Sequence, residues 1–294
     1  MRIDQELADI AHRAALSVAP YLKSVARTMP HFDTKRDFHD PVTEHDRLVE
    51  QRLRDFLGAQ VPGSRFLGEE FGEEVLPSPA APGTGEAPTK AATLGSRVRW
   101  IVDPIDGTAN FASGLIYFCT SIAAELDGEV VAGAVVVPVV GESFVADAEE
   151  AWHVDADGTR APMLADGPDS EATAIIATYY PQLAAFESDF DQAARDELEL
   201  LRVYGSLRRP GAGALDLAHV AAGWLGVAMG PRFGPWDVAA GIHLVRVAGG
   251  SVLNLPLETD LPDGLRPAVV AQGRRLDAVT AKRMLIRLDE EARP

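Results

Sequence analysis

The sequence predicts an α+β N-terminal half followed by an α/β C-terminal half, in a globular chain of 294 residues. Three observations carry this reading. Apolar residues recur at helical spacing near the N-terminus. Short β-favouring runs follow, some joined by Asp-Gly turns, which is the pattern of an antiparallel sheet. From Thr173 onward, strand-like and helix-like stretches alternate. With 47% hydrophobic residues the chain can form one large domain or two closely packed lobes, placed here at 1–165 and 166–294. There is no internal repeat.

Leu7, Ile10, Ala14, Val18 and Leu22 mark an amphipathic helix over about 4–22. A polar, Pro-broken loop follows. A second helix starts at Thr43, which can cap it, with Asp46 at the N3 position of a capping box and Leu48, Val49, Leu53, Phe56 and Leu57 on its apolar face. Residues 76–96 are rich in Pro, Gly, Ala and Thr and read as a mobile insertion. Strands are expected at 120–126, 130–140 and 143–147, with Asp127–Gly128 as a hairpin turn and a further hairpin turning at Asp157–Gly158. The second half reads as strand 173–179, helix 183–201, a strand starting at 202–205, and a small-residue helix over GAGALDLAHVAAG. Strand 224–229 comes next, then a helix opened by Pro235 and closed by Gly249–Gly250, strands 251–255 and 267–271, and a last helix over 276–288.

The net charge is −17 and no long basic run appears, which argues against nucleic acid or an anionic membrane surface as partner. It does not argue against a phosphorylated small molecule, because a bound cation inverts the local field. The single Cys119 allows no intrachain disulfide, as suits a reducing cytoplasm, and its apolar surroundings mark it as buried and inert. Asp4, Glu6 and Asp9 speak against a secretory signal, and no stretch is apolar enough to span a bilayer.

The chemistry is expected in WIVDPIDGTANF, from Trp100 to Phe111. A buried strand stops at Asp103, and Asp106 follows three residues later. Two acids that close raise each other's pKa unless a cation lies between them, and Mg²⁺ takes carboxylates together with substrate phosphate. Alone, the pair also describes a strand ending in a solvated turn. Asp237 opens a helix, where an acid offsets the helix dipole. Glu69 and Glu70 follow the short apolar run Phe66-Leu67 with Gly68 as a bend, and a solvated acidic loop is the plain alternative.

Together these pieces resemble the inositol monophosphatase family. GEE at 68–70, DPIDGT at 103–108 and PWDVAAG at 235–241 look like its signature set. Lys35, Asp40, Val42-Thr43 and Asp46 match its upstream pattern, and Arg208 to Leu217 match the segment before its last motif. The resemblance implies a layered αβαβα sugar-phosphatase fold and Mg²⁺-dependent hydrolysis of a phosphate monoester. Glu69, Asp103 and the carbonyl of Ile105 would hold one metal; Asp103, Asp106 and Asp237 would hold a second, with a weaker third near Glu69. Asp46 and Thr108 would flank the attacking water, which Glu69 would also orient. Gly107 and Thr108 would offer backbone N–H groups to a phosphate oxygen, beside Asp106 and Asp237 on the substrate side. Lys35 would steer the phosphate or pin its loop. No covalent nucleophile is evident, so direct in-line attack by water is expected. His39 and His45 are left as structural or solvent-facing.

The family's sugar-contacting acid before the WD motif is absent here: Ala228 falls at its place, with Arg232 nearby. That Arg could bind a second phosphate or lie on the surface. Tyr179 and Tyr180 could line the leaving-group pocket or pack in the core. Inositol monophosphate is the first substrate expected, followed by adenosine 3′,5′-bisphosphate, histidinol phosphate and fructose 1,6-bisphosphate. A non-catalytic binding or regulatory protein is the reading from another class, with 76–96 as the place for a partner or lid. A cytoplasmic homodimer and lithium inhibition are implied by the resemblance alone.

Overall fold

A computed structural model of the protein describes residues 2–28, 32–34, 41–77 and 94–293. Lys35, His39, Asp40 and most of the 76–96 segment lie outside the described residues.

Helix α1 (Ile3–Val25) and helix α2 (Glu44–Gln60) flank a two-stranded ladder of β1 (Phe32–Thr34) and β2 (Pro41–Thr43). Strands β3 (Arg65–Gly68), β4 (Gly72–Val75), β5 (Val98–Asp106), β6 (Cys119–Leu126), β7 (Glu129–Val137), β8 (Glu142–Ala146), β9 (Ala151–Val154) and β10 (Arg160–Pro162) form one sheet, in the order β10-β9-β8-β7-β6-β5-β3-β4. The short helix α3 (Thr108–Ala112) leaves the end of β5. All neighbours are antiparallel except β3 and β5. Asp127 and Gly128 both take positive φ between β6 and β7, which is the turn expected there.

The second sheet holds β11 (Ile175–Thr178), β12 (Ser206–Arg208), β13 (Val227–Gly230), β14 (Ser251–Leu255) and β15 (Ala268–Gln272), in the order β12-β11-β13-β15-β14. Its helices are α4 (Leu183–Ser188), α5 (Phe190–Val203), α6 (Gly213–Ala221), α7 (Pro235–Val247) and α8 (Val279–Ala292).

Strand alternation sets the layers. On β5, Trp100 and Val102 are buried with Leu7, Leu22, Val49 and Leu53 of α1 and α2. Ile101 points the other way, into a core shared with Leu217 of α6 and Ile242 of α7. That central core also takes Ala177, Ala228 and Val269 from the second sheet, while Ile176, Val227 and Val270 face Leu200 of α5 and Met284 and Leu285 of α8. The result is helices, sheet, helices, sheet, helices: the αβαβα layering expected. The small residues of the central helices permit a close approach. A Cβ on Gly241 of α7 would lie 2.4 Å from the Cβ of Leu217.

Some boundaries differ from expectation. The helix expected over 183–201 is two helices parted at Asp189, whose side chain accepts from the N–H of Gln192 at 2.9 Å and caps α5. The strand expected from Arg202 starts only at Ser206. Leu200 is fully buried against the sheet, so the helical turn that presents it continues through Val203. The strand expected from Trp224 starts at Val227, because Gly223 turns at φ +75° and the Trp224 N–H still closes helix α6 on His219 O at 2.9 Å.

Candidate active site

The break in β5 creates the site. Pairing with β6 loses register between Asp103 and Asp106, where Pro104 has no N–H to give. Asp103 Oδ1 accepts from the N–H of Ile105 at 2.9 Å, tightening the turn. Gly107 then adopts φ +93°, and any Cβ there would come within 3.1 Å of Gly211 O and Tyr117 O. The left-handed φ favours glycine, and the close approach adds to that preference.

Asp103 and Asp106 are 2% and 6% exposed, and Asp237 reaches them from the first turn of α7. One carboxylate oxygen of each lies within 4.8 Å of the others. Asp237 is fixed by the N–H of Gly234, which donates to its Oδ2 at 2.8 Å. Asp106 is fixed from the far side of the sequence. It accepts from the N–H groups of Gly213 at 3.1 Å and Ala214 at 2.8 Å, so it caps α6.

Asp46 stands beside this cluster, fully buried. Its Oδ2 accepts from Thr43 N at 2.8 Å and Thr43 Oγ1 at 2.6 Å, which closes the capping box of α2. Its Oδ1 accepts from Thr108 Oγ1 at 3.1 Å, and the same hydroxyl lies 2.9 Å from Ile105 O. A helix cap therefore joins the start of α2 to the turn after β5.

Glu69 follows β3, in the hairpin that leads to β4. Its charge bears on Asp103, so the fold brings it to the cluster. The backbone of this hairpin is held by Glu50 of α2. Glu50 is fully buried and accepts from the N–H groups of Glu70 at 2.8 Å and Phe71 at 3.1 Å. Gly68 leaves room for it, since a Cβ there would sit 2.2 Å from Glu50 Oε1. Lys35 lies outside the described residues.

The electrostatics follow from burial. Asp103 is pushed well above the usual carboxylate range by burial, then by the charges of Glu69, Asp106 and Asp237. Asp106 is pushed up to about 7 by burial and by Asp216, against the amide donors of α6. Asp216 is pushed up to about 7 by burial, against the hydroxyls of Tyr117 at 2.6 Å and Tyr179 at 2.8 Å. A group of buried oxygen donors that repel one another suits a hard divalent cation, which relieves the repulsion. Asp103 and Asp106, buried, and Asp237, half-buried, could hold such an ion.

A cavity of about 200 Å³ opens onto the cluster, lined by Asp106, Asp237, Tyr179, Gln182, Arg232 and Phe233. Tyr179 thus lines the cavity while its hydroxyl binds Asp216. Tyr180 is buried and donates to Asp196 at 2.6 Å. Ala228 is buried and offers nothing polar. His45 is structural, with Nδ1 at 2.6 Å from the Tyr21 hydroxyl. Cys119 is buried, with Sγ at 3.5 Å from Asp106 Oδ2.

Sequence reasoning missed Glu50 and the capping role of Asp106. Glu50 had a readable signal: Asp46 and Glu50 lie four apart on the stripe that carries Leu53 and Leu57, so two acids occupy a buried face. The Asp106 cap had none, because its donors lie more than a hundred residues away.

A profile of the inositol monophosphatase family matches residues 3–286. The chain is 32% identical over 249 residues to the Nus factor SuhB of Pseudomonas aeruginosa, covering 84% of this chain and 85% of that protein. It is 34% identical over 244 residues to the inositol-1-monophosphatase of Mycobacterium leprae, covering 82% and 77%. The crystal structure of the extragenic suppressor protein suhB of Bartonella henselae superposes with a TM-score of 0.73 at 27% identity, covering 98% of each chain. The fold, the carboxylate cluster and a match spanning nearly the whole sequence agree: the chain belongs to the inositol monophosphatase family, a family of metal-dependent phosphatases.

Proposed function

We propose that the protein hydrolyses a small phosphate monoester with Mg²⁺ by in-line attack of water, and that inositol monophosphate is its first substrate. One observation carries the reading: the carboxylates of Asp103, Asp106 and Asp237 converge beside the hydrogen-bonded pair Thr108–Asp46. Glu69, Asp103 and the Ile105 carbonyl would hold one Mg²⁺, Asp103, Asp106 and Asp237 a second, with a third near Glu69. When bound, Mg²⁺ offsets the charge of the phosphate dianion and lowers the pKa of water.

The chain's own groups then have definite tasks. Thr108 Oγ1 gives its proton toward Asp46 or the Ile105 carbonyl, which leaves a lone pair to accept from the attacking water. Asp46 receives three donors, from Thr43 N, Thr43 Oγ1 and Thr108, and so stays an acceptor that draws the proton off the water through Thr108. Glu69 orients the same water. Gly107 and Thr108 give backbone N–H groups to a phosphate oxygen, and Asp106 and Asp237 border the substrate. Lys35 would steer the phosphate or pin its loop.

The inositol reading draws support from the relative named inositol-1-monophosphatase. Histidinol phosphate, adenosine 3′,5′-bisphosphate and fructose 1,6-bisphosphate are its competitors. A regulatory role of another class draws on one observation, the relative named a Nus factor. No helix among the described residues is long and apolar enough to cross a membrane; a cytoplasmic homodimer is part of the proposal, and sedimentation tests the dimer. Phosphate release across these four esters, with Mg²⁺ titrated against EDTA, tests the function. Mg²⁺-dependent turnover, greatest on inositol 1-phosphate, is expected; flat traces on all four would overturn the reading.

A further inference from the structure

Arg232 is a cation at the mouth of the carboxylate cluster. The chain carries a net charge of −17, and many of its exposed arginines pair with acids, as Arg97 does with Asp127 at 2.5 Å and Arg246 with Asp263 at 2.6 Å. Arg232 makes no hydrogen bond or ion pair among the described residues, yet it lines the same cavity as Asp106 and Asp237. Its place is built rather than incidental. Pro231 restricts the backbone before it. Phe233, after it, is anchored by its N–H to Pro267 O at 2.9 Å and by ring contact with Tyr179 at 5.2 Å between centroids. Gly230 and Gly213 make room for that ring: a Cβ on either would come within 2.3 Å or 2.7 Å of it.

Arg232 also lines a second groove of about 430 Å³, which shares Tyr179 and Gln182 with the first cavity. Arg232 thus stands where the two spaces meet. Glu258 and Glu291 line the farther groove, so an anion is drawn as far as Arg232 and no farther. A guanidinium fork pairs with phosphate oxygens bidentately.

We infer that Arg232 binds a second phosphoryl group, carried on the leaving group of the substrate, so that a bisphosphate is cleaved in preference to its matched monophosphate. This rests on the phosphatase reading above and sharpens its substrate class. The ester that is cleaved lies at the carboxylate cluster, and the alcohol runs along Tyr179 and Gln182 toward Arg232. A sugar bisphosphate and a nucleoside bisphosphate offer the same chemistry there.

Two matched pairs separate these sources: fructose 1,6-bisphosphate against fructose 1-phosphate, and adenosine 3′,5′-bisphosphate against adenosine 3′-monophosphate. The quantity read is the ratio of kcat/KM within each pair, for the wild type, Arg232→Met and Arg232→Lys. In one pair the wild type is expected to favour the bisphosphate by about tenfold or more, the worth of one charge-assisted hydrogen bond. Arg232→Met should bring that ratio near one, mainly through KM, and Arg232→Lys should restore part of it. The pair that responds names the source. A wild-type ratio near one in both pairs would overturn the inference, as would a ratio unchanged in Arg232→Met. Release from monoesters without bisphosphate preference sinks this inference alone; no Mg²⁺-dependent release from any ester sinks the phosphatase reading with it.

Discussion

Thr108 Oγ1 donates to Asp46 Oδ1 at 3.1 Å, joining the turn after β5 to the N-terminal cap of α2. The hydroxyl is the only part of Thr108 that the proposed water relay needs. Thr108→Ala and Asp46→Asn are expected to lower kcat by roughly 10²–10³, as the loss of a proton relay does, while Thr108→Ser keeps most activity. Steady-state kinetics at saturating Mg²⁺ checks this. Equal losses in the Ser and Ala variants would contradict it.

Glu50 holds the hairpin that carries Glu69 by accepting from two of its backbone N–H groups. Gln in its place has one oxygen for two N–H donors, Glu70 and Phe71. Glu50→Gln should raise the Mg²⁺ concentration for half-activation by roughly tenfold, the usual cost of losing an outer support for a metal ligand. Activity at saturating Mg²⁺ should fall far less. An unchanged Mg²⁺ dependence would show that the hairpin holds without Glu50.

Asp216 sets a pH dependence. Its pKa is pushed from an ordinary 3.8 up to about 7 by burial. An acid whose folded pKa is raised binds protons more tightly when folded, so stability is full below about pH 4 and falls as pH rises to about 7. At about 1.4 kcal/mol per pKa unit, the loss is at most about 4 kcal/mol. Urea unfolding in EDTA at pH 5 and pH 7.5 should therefore show a smaller loss for Asp216→Asn than for the wild type. Identical losses would assign the pH dependence elsewhere.

The close approach of α6 and α7 gives a packing test. Gly241→Ala places a Cβ 2.4 Å from Leu217 Cβ in the central layer, and overpacking of that kind costs about 1–3 kcal/mol. Denaturant midpoints measure it. A neutral substitution would mean that the two helices can separate freely.

Local signals were legible where chemistry is local. The capping box at Thr43 and Asp46, the Asp127–Gly128 turn and Pro235 at the start of α7 each satisfy a rule that spans a few residues. The cluster was legible because each acid ends or begins an element, and the ends of elements are where side chains can converge. What escaped depends on distant partners. Asp106 caps α6 across more than a hundred residues, and Asp216 meets Tyr117 from ninety-nine residues away. The helix that runs on to Val203 ignores the β-favouring Val203 and Tyr204 because the burial of Leu200 outweighs local propensity.

The central claim is that the converging carboxylates of Asp103, Asp106 and Asp237 hold the metal that the proposed hydrolysis requires. Phosphate release from inositol 1-phosphate under a Mg²⁺ titration, wild type against Asp103→Asn, tests it most directly. Asp103 is the acid proposed to touch both metals, so the variant should fold normally and lose at least about a hundredfold in turnover at any Mg²⁺ concentration. Turnover that survives in Asp103→Asn, or that persists in the wild type with EDTA, would contradict the account.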